Sequence, residues 1–290
     1  MNLDHFGMDT ITLAGPLDAK LQAMRAAGFS QVMLNAGDVA GVPEGVTATM
    51  DTLGARGFRS TGFQVLRDFE GLSGHLHAYK VDVAKSMLEM CRALGSRVLL
   101  VCSSTSAHAT GDRDALVRDL RKLAMLALPS GIRIAYEALS WGRHVNLLPQ
   151  AWEIVQEADR SNLGLCIDSY HLLANGTDVA VVEELDPRKV FLVQLSDFLW
   201  TEIRGPEDRI ETARHYRVFP GEGVHSVQLA RLVRTLDETG YRGDYSFEVF
   251  NDDYRQLPVA VVCERARNSV KWLVNIVGRR SLPARRSIST

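Results

Sequence analysis

Four polar side chains interrupt apolar runs between positions 137 and 248 of this 290-residue sequence. Glu137 closes Ile134-Ala135-Tyr136-Glu137 and Asp168 closes Leu165-Cys166-Ile167-Asp168, while Gln194 lies in Phe191-Leu192-Val193-Gln194 and Glu248 in Tyr245-Ser246-Phe247-Glu248. A carboxylate in such a setting is costly unless it is paired or ligated, because desolvating a charge without compensation is strongly unfavourable. A neighbouring lysine or arginine accounts for any one of these residues taken singly. Four in succession are not explained that way, since independent ion pairs have no reason to recur at the ends of consecutive segments. Three carboxylates and one amide oxygen form a hard, all-oxygen donor set, which suits Mg²⁺ or Mn²⁺ ahead of Co²⁺ or Zn²⁺.

His171 follows Asp168 by three residues in Asp168-Ser169-Tyr170-His171, where it would overhang a metal held by that aspartate. Its unperturbed pKa near neutrality suits a general base that removes a proton from carbon beside a polarised carbonyl. The alternative is a loop histidine hydrogen-bonded to backbone. His144 and His215 are weaker candidates for the same work, and His5, His75, His77, His108 and His225 read as surface or cap residues. Arg67, closing Phe63-Gln64-Val65-Leu66-Arg67, and Arg217 are the arginines best placed to take a substrate carboxylate in a bidentate pair, although each could be an ordinary surface residue. No Gly-Lys-Ser/Thr phosphate loop and no Gly-x-Ser-x-Gly elbow is present, which argues against nucleotide and serine-hydrolase chemistry.

Positioning these groups requires strands that end at one level. β-branched runs predict strands at Thr10–Leu13, Gln31–Leu34, Arg59–Leu66, Arg97–Cys102, Arg133–Ala138, Gly164–Ser169, Lys189–Leu195 and Tyr245–Phe250. Most are nearly continuous apolar segments, as strands covered on both faces require, and this predicts a parallel sheet. Between them Ala84, Met87, Leu88, Cys91 and Leu94 share one helical face, as do Leu229, Leu232, Val233 and Leu236. Gly28 and Gly240 sit where left-handed C-terminal residues belong, and Pro149 and Pro258 where helices begin. Eight strands alternating with helices over 290 residues, about 36 residues per unit, predict an α/β fold, a single-domain (β/α)₈ TIM barrel. A doubly wound sheet is the runner-up, opposed by the lack of a Gly-x-Gly-x-x-Gly turn after the first strand. The barrel is assigned to residues 1–278 and a basic, flexible tail to 279–290. Phe198–Val224 reads as one long irregular loop of the kind that carries function.

Composition narrows the function classes. With 46% hydrophobic and 23% charged residues the chain can build a large core and stay in solution. The formal net charge of −2 supplies no field for holding a polyanion, so nucleic acid is not an expected partner. Cys91, Cys102, Cys166 and Cys263 form no Cys-x-x-Cys pair and read as buried thiols. Together with the absence of a basic-then-apolar leader they point to a reducing cytoplasm, and no apolar run is long enough to span a bilayer.

Several segments together resemble a family. Tyr136-Glu137-Ala138-Leu139-Ser140-Trp141-Gly142-Arg143-His144, Asp168-Ser169-Tyr170-His171, Val193-Gln194-Leu195-Ser196-Asp197, Phe219-Pro220-Gly221-Glu222-Gly223 and Glu248-Val249-Phe250-Asn251-Asp252 are similar to the sugar-phosphate isomerase/epimerase superfamily of xylose isomerase-like barrels. Within it they most resemble the bacterial 3-dehydroshikimate dehydratases. The resemblance implies a divalent metal held at Glu137, Asp168, Gln194 and Glu248, proton transfer by His171, and substrate contact by Arg67 within its Phe-Gln-x-x-Arg-Asp-Phe-Glu run. It implies a small-molecule carboxylate substrate and a lyase reaction, in which an enediolate forms, water departs and 3-dehydroshikimate becomes the catechol protocatechuate. A metal-dependent ketose isomerase or epimerase would share every ligand, and a non-catalytic binding barrel would need none. Met33 departs from a glutamate common in the second strand of the family, which bears on substrate choice. Some relatives carry a second, dioxygenase-like domain, and this chain reads as the single-domain form, with self-association left open.

Overall fold

A computed structural model of the protein describes residues 2–42 and 44–278. Eight parallel strands close on one another in chain order: β1 (Phe6–Asp9), β2 (Gln31–Asn35), β3 (Arg59–Arg67), β4 (Val98–Cys102), β5 (Arg133–Glu137), β6 (Leu163–Asp168), β7 (Val190–Leu195) and β8 (Tyr245–Phe247). β8 pairs back onto β1, with Gly7 opposite Ser246, so the sheet has no free edge. The outer layer holds α1 (Leu17–Ala26), α2 (Ala36–Ala40), α3 (Gly45–Ala55), α4 (Gly74–Ala93), α5 (Arg113–Ala127), α6 (Leu148–Ala158), α7 (Ser169–Ala174), α8 (Pro206–His215), α9 (Ser226–Thr239) and α10 (Val259–Gly278).

The helical stripes read from the sequence are the buried ones: Ala84, Met87, Leu88 and Cys91 on α4, and Leu229, Leu232, Val233 and Leu236 on α9. Alternate strand residues split into two clusters. Leu99, Val101, Ile134 and Leu165 join the main core with the helices, whereas Val98, Leu100, Ala135, Cys166 and Leu192 fill the barrel interior with Met33. Met33 packs against Gly62, where an added Cβ would lie 2.6 Å from the Met33 sulfur, so the thioether occupies space that Gly62 leaves free. All four cysteines are free and buried. Gly28 and Gly240 have φ of 95° and 97°, the left-handed conformation expected after α1 and α9.

Two sequence expectations are corrected. The first strand is Phe6–Asp9, and Thr10–Thr12 is a 3₁₀ turn despite its β-branched residues. Side-chain hydrogen bonding outweighs β propensity there: Thr10 Oγ1 accepts from the Asn35 N–H (3.0 Å), and Thr12 Oγ1 donates to the Phe247 carbonyl (3.2 Å). Phe198–Val224 is not one irregular loop, because Gly205-Pro206 starts α8, with Glu207 and Asp208 in its first turn. The assignment of residues 279–290 to a tail lies outside the described residues. Among the described residues no helix is long and apolar enough to cross a membrane.

Candidate active site

Parallel closure delivers every strand's C-terminal end to the same rim. Glu137 and Asp168 are the last residues of β5 and β6, Gln194 is the penultimate residue of β7, and Glu248 directly follows β8. All four are buried. One oxygen each from Glu137 and Asp168 and one ring nitrogen of His171 lie within 4.8 Å of one another. The His171 Nε2 stands 3.8 Å from Glu137 Oε1 and 3.6 Å from Asp168 Oδ2.

Glu248 joins this group through Arg217, which is itself buried. Arg217 Nη1 donates to Asp168 Oδ2 (2.8 Å) and to Glu248 Oε2 (3.1 Å), and Nε donates to the Ala213 carbonyl (2.9 Å). The guanidinium stacks on Tyr170, 4.4 Å from the ring centre. Burial opposes its charge, yet Asp168 and Glu248 hold its pKa above the ordinary value. The sequence suggested Arg217 as a receptor for substrate anions. In the structure its charge is directed at two carboxylates of the proposed ligand set, although the residue also lines the cavity described below.

Burial, then the charges of Asp168 and Glu248, push Glu137 up to about 8. Burial also raises Glu248, to about 7, against the opposing pull of Arg217. Arg217 is thus the buried cation set against three packed carboxylates, and among the described residues Glu137 Oε1 is buried with no hydrogen-bond partner. A buried carboxyl oxygen left without a donor is a group that a bound cation would satisfy, and the cation would displace the proton that burial favours. Glu137, Asp168 and His171 thus fit a divalent ion, and Gln194 lies opposite Asp168 on the neighbouring strand β7.

His171 is buried on α7 against Trp141 and Tyr170, with ring centres 5.0 Å and 5.3 Å away. Ser140 holds Nδ1 from two sides, its N–H donating at 3.1 Å and its hydroxyl also at 3.1 Å. A backbone N–H can only donate, so the neutral ring carries its hydrogen on Nε2, facing the carboxylates. Burial is the main force lowering the ring's pKa to about 3; Asp168 opposes it and Arg217 reinforces it.

A cavity of about 370 Å³ opens above this group, lined by Glu137, His171, Arg217 and Glu248 at its base and by Arg67, Trp141, Arg214, His215 and Arg255 among others. Arg67 ends β3 and is solvent-exposed at the rim. His215 also lines the cavity and pairs with Asp252 at 2.8 Å. His144 does not line it: the side chain is exposed and its Nε2 bonds the Ala109 carbonyl at 2.9 Å. Met33 lies in the barrel interior rather than among the cavity-lining residues. His225, expected at a surface or cap, is the N-cap of α9 but is buried against Phe198.

Several site residues carried no usable sequence signal. Arg214 and Arg255 are brought to the cavity by α8 and by the turn before α10. Asp9 is fully buried at the end of β1, a strand whose extent the sequence hid. Glu70 is buried beyond β3, where its Oε1 accepts from the Ser104 N–H (2.5 Å) and the Tyr136 hydroxyl (3.0 Å). The thiols of Cys102 and Cys166 donate to Glu137 Oε2 (2.9 Å) and Gln194 Oε1 (3.2 Å).

Known proteins resemble the chain over nearly its whole length. A 3-dehydroshikimate dehydratase of Pseudomonas putida is 39% identical over 252 residues, which is 86% of this chain and 38% of that protein. The corresponding Pseudomonas aeruginosa protein matches equally well, so the chain spans 38% of the length of each of these curated relatives. The inosose isomerase of Bacillus subtilis is 28% identical over 199 residues, covering 67% of this chain and 68% of that one. Among solved structures, a xylose isomerase-like TIM barrel/4-hydroxyphenylpyruvate dioxygenase fusion protein superposes with a TM-score of 0.88 at 33% identity, over 97% of this chain and 45% of its own. Residues 21–276 match the xylose isomerase-like TIM barrel family. Closed topology, strand-end carboxylates and this match agree, and the chain belongs to the xylose isomerase-like TIM barrel family.

Proposed function

We propose that the chain is a metal-dependent 3-dehydroshikimate dehydratase, a lyase acting on a small carboxylate substrate, with the chemistry housed in residues 1–278. The observation that carries this reading is the buried convergence of Glu137, Asp168 and His171 beneath a cavity rimmed by arginines. The 39% identity to two Pseudomonas proteins of that name supports the choice of substrate. Glu137, Asp168, Gln194 and Glu248 would hold the ion, and their oxygen donors favour Mg²⁺ or Mn²⁺ over Co²⁺ or Zn²⁺. When bound, such an ion supplies Lewis acidity to a substrate oxygen.

The protein's own residues do the rest. Arg67, exposed at the rim and without an ion-pair partner among the described residues, takes the substrate carboxylate in paired hydrogen bonds. Arg217 keeps Asp168 and Glu248 in place beside the ligand position. His171 moves the proton at Nε2, since Nδ1 is engaged by Ser140. Taking the α-proton requires Nε2 to be free of its hydrogen, so the ring must change tautomer, give up the Ser140 N–H at Nδ1 and keep the Ser140 hydroxyl as the partner that accepts there. The C–H electron pair then moves into the ring, the hydroxyl one carbon further leaves with a proton as water, and enolisation gives a catechol. Trp141 and Tyr170 against His171 exclude bulk water from the transferring nitrogen.

An isomerase reading is favoured by one observation, the similarity to inosose isomerases. It begins with the same deprotonation but returns the proton. Incubating the protein with 3-dehydroshikimate and Mg²⁺ or Mn²⁺ separates the two by the ultraviolet absorbance of a catechol. Release of protocatechuate is expected. No catechol, together with solvent deuterium entering the α-position of a ketose such as an inosose, would replace dehydratase by isomerase.

A further inference from the structure

We propose that Asp9 is a positioning residue that fixes which end of the Gln194 amide is offered to the metal, an inference that rests on the ligand set proposed above. Asp9 ends β1 and is completely buried, yet no lysine or arginine pairs with it among the described residues. Its Oδ2 accepts from Gln194 Nε2 (2.7 Å) and from Gln64 Nε2 (3.1 Å), and its Oδ1 from the Ser246 hydroxyl. Burying a carboxylate among neutral donors is costly, and a fold gains nothing from it that a neutral residue could not supply more cheaply.

Gln194 shows what the carboxylate supplies. The two ends of a glutamine amide are nearly the same size, but only the oxygen can bind a hard cation, because the NH₂ group offers donors alone. An amide in an undiscriminating pocket would turn over between the two arrangements. A carboxylate accepts and does not donate, so Asp9 holds Nε2 toward itself and turns Oε1 away. On that other side Oε1 receives the Cys166 thiol at 3.2 Å, a weak donor that leaves acceptor capacity for an ion. Gln194 lies opposite Asp168 in the β6–β7 register, so the freed oxygen belongs to the same rim as the carboxylate ligands. Asp9 itself is not among the residues lining the cavity, which separates it from groups that touch substrate.

The test is Mn²⁺ binding by the full chain, followed by titration calorimetry and by the loss of free-Mn²⁺ signal in electron paramagnetic resonance. Asp9→Leu should weaken binding about 10- to 100-fold, the usual effect of removing the partner that orients a ligand. Asp9→Asn should lose less than Asp9→Leu, because its oxygen can take both glutamine amides, but it should not match wild type, because its own NH₂ can also turn toward Gln194. Adding Gln194→Glu to Asp9→Leu should recover affinity, since both ends of the new side chain are oxygens and orientation no longer matters. A general packing defect would not be repaired by that second change. Should Asp9→Leu fail to fold by circular dichroism, Asp9→Ser, smaller and polar, enters the same comparison. Unchanged affinity in the leucine or serine variant, or no recovery in the double variant, overturns the role of Asp9. A wild-type protein that binds no Mn²⁺, Mg²⁺, Co²⁺ or Zn²⁺ overturns the ligand set itself, and the assignment to Asp9 with it.

Discussion

Glu70 offers the cleanest reading of what charge burial does to this barrel. Burial lifts its pKa from the ordinary 4.5 to about 7, and hydrogen bonds from Ser104 and Tyr136 only partly oppose this. Its Oε2 has no hydrogen-bond partner among the described residues. The native state therefore holds this proton more tightly than the unfolded chain. Stability from the protonated carboxyl is fully present below pH 4.5 and is lost as pH rises through 7. At 1.36 kcal/mol per pH unit the whole span is worth about 3 kcal/mol, a large part of the ~5–15 kcal/mol by which domains are stable. Glu70→Gln keeps the Oε1 acceptor for Ser104 and Tyr136 and removes the titration. The stability of Glu70→Gln minus that of wild type should rise by about 2–3 kcal/mol between pH 5 and pH 8.5. Urea unfolding of both proteins across that range measures it, and titrations of Asp9, Glu137 and Glu248, common to both, cancel in the difference. A difference that stays flat with pH would show that Glu70 is already ionised in the native state and that burial does not dominate its environment.

Three further outcomes follow from the site. Glu137→Ala leaves Asp168 and Glu248 around a weakened ion, so chelator-washed protein re-exposed to Mn²⁺ should retain little metal while its circular dichroism is unchanged; full metal content in this variant would remove Glu137 from the ligand set. Arg67→Lys should lower kcat/KM for 3-dehydroshikimate by about 10- to 100-fold with metal content intact, because a lysine cannot reproduce the paired hydrogen bonds, and unchanged kinetics would take Arg67 away from the substrate. His171→Asn should lower turnover by about 10²–10⁴ while metal and substrate still bind. Because burial lowers the His171 pKa from 6.5 to about 3, protonating this ring should not reduce wild-type kcat/KM until far below pH 6.5, and an acidic limb near 6.5 that disappears in the asparagine variant would contradict that environment.

The barrel was legible because parallel strands covered on both faces must be apolar throughout. β2 to β7 fall within a residue or two of their sequence-derived bounds for that reason. The same rule exposed Glu137, Asp168, Gln194 and Glu248, since a polar residue inside an apolar run stands out. It failed at β1, where Phe6-Gly7-Met8-Asp9 is short and contains glycine, while the adjoining Thr10-Ile11-Thr12 has the β-branched composition of a strand. Only the completed barrel brings Asn35, Phe247 and Val249 within reach of the Thr10 and Thr12 hydroxyls, and those partners lie up to 237 residues away. Misplacing that one strand concealed Asp9, whose meaning depends on Gln194 arriving from 185 residues further along. Arg217 shows the complementary limit. Its residue type predicted anion binding correctly in kind, but whether the anion is substrate or the protein's own Asp168 and Glu248 is decided by the segment after α8, where the Arg217 N–H bonds the Phe250 carbonyl and the guanidinium reaches those carboxylates. Local pattern reveals which groups are costly to bury, and long-range closure determines which of them share that cost.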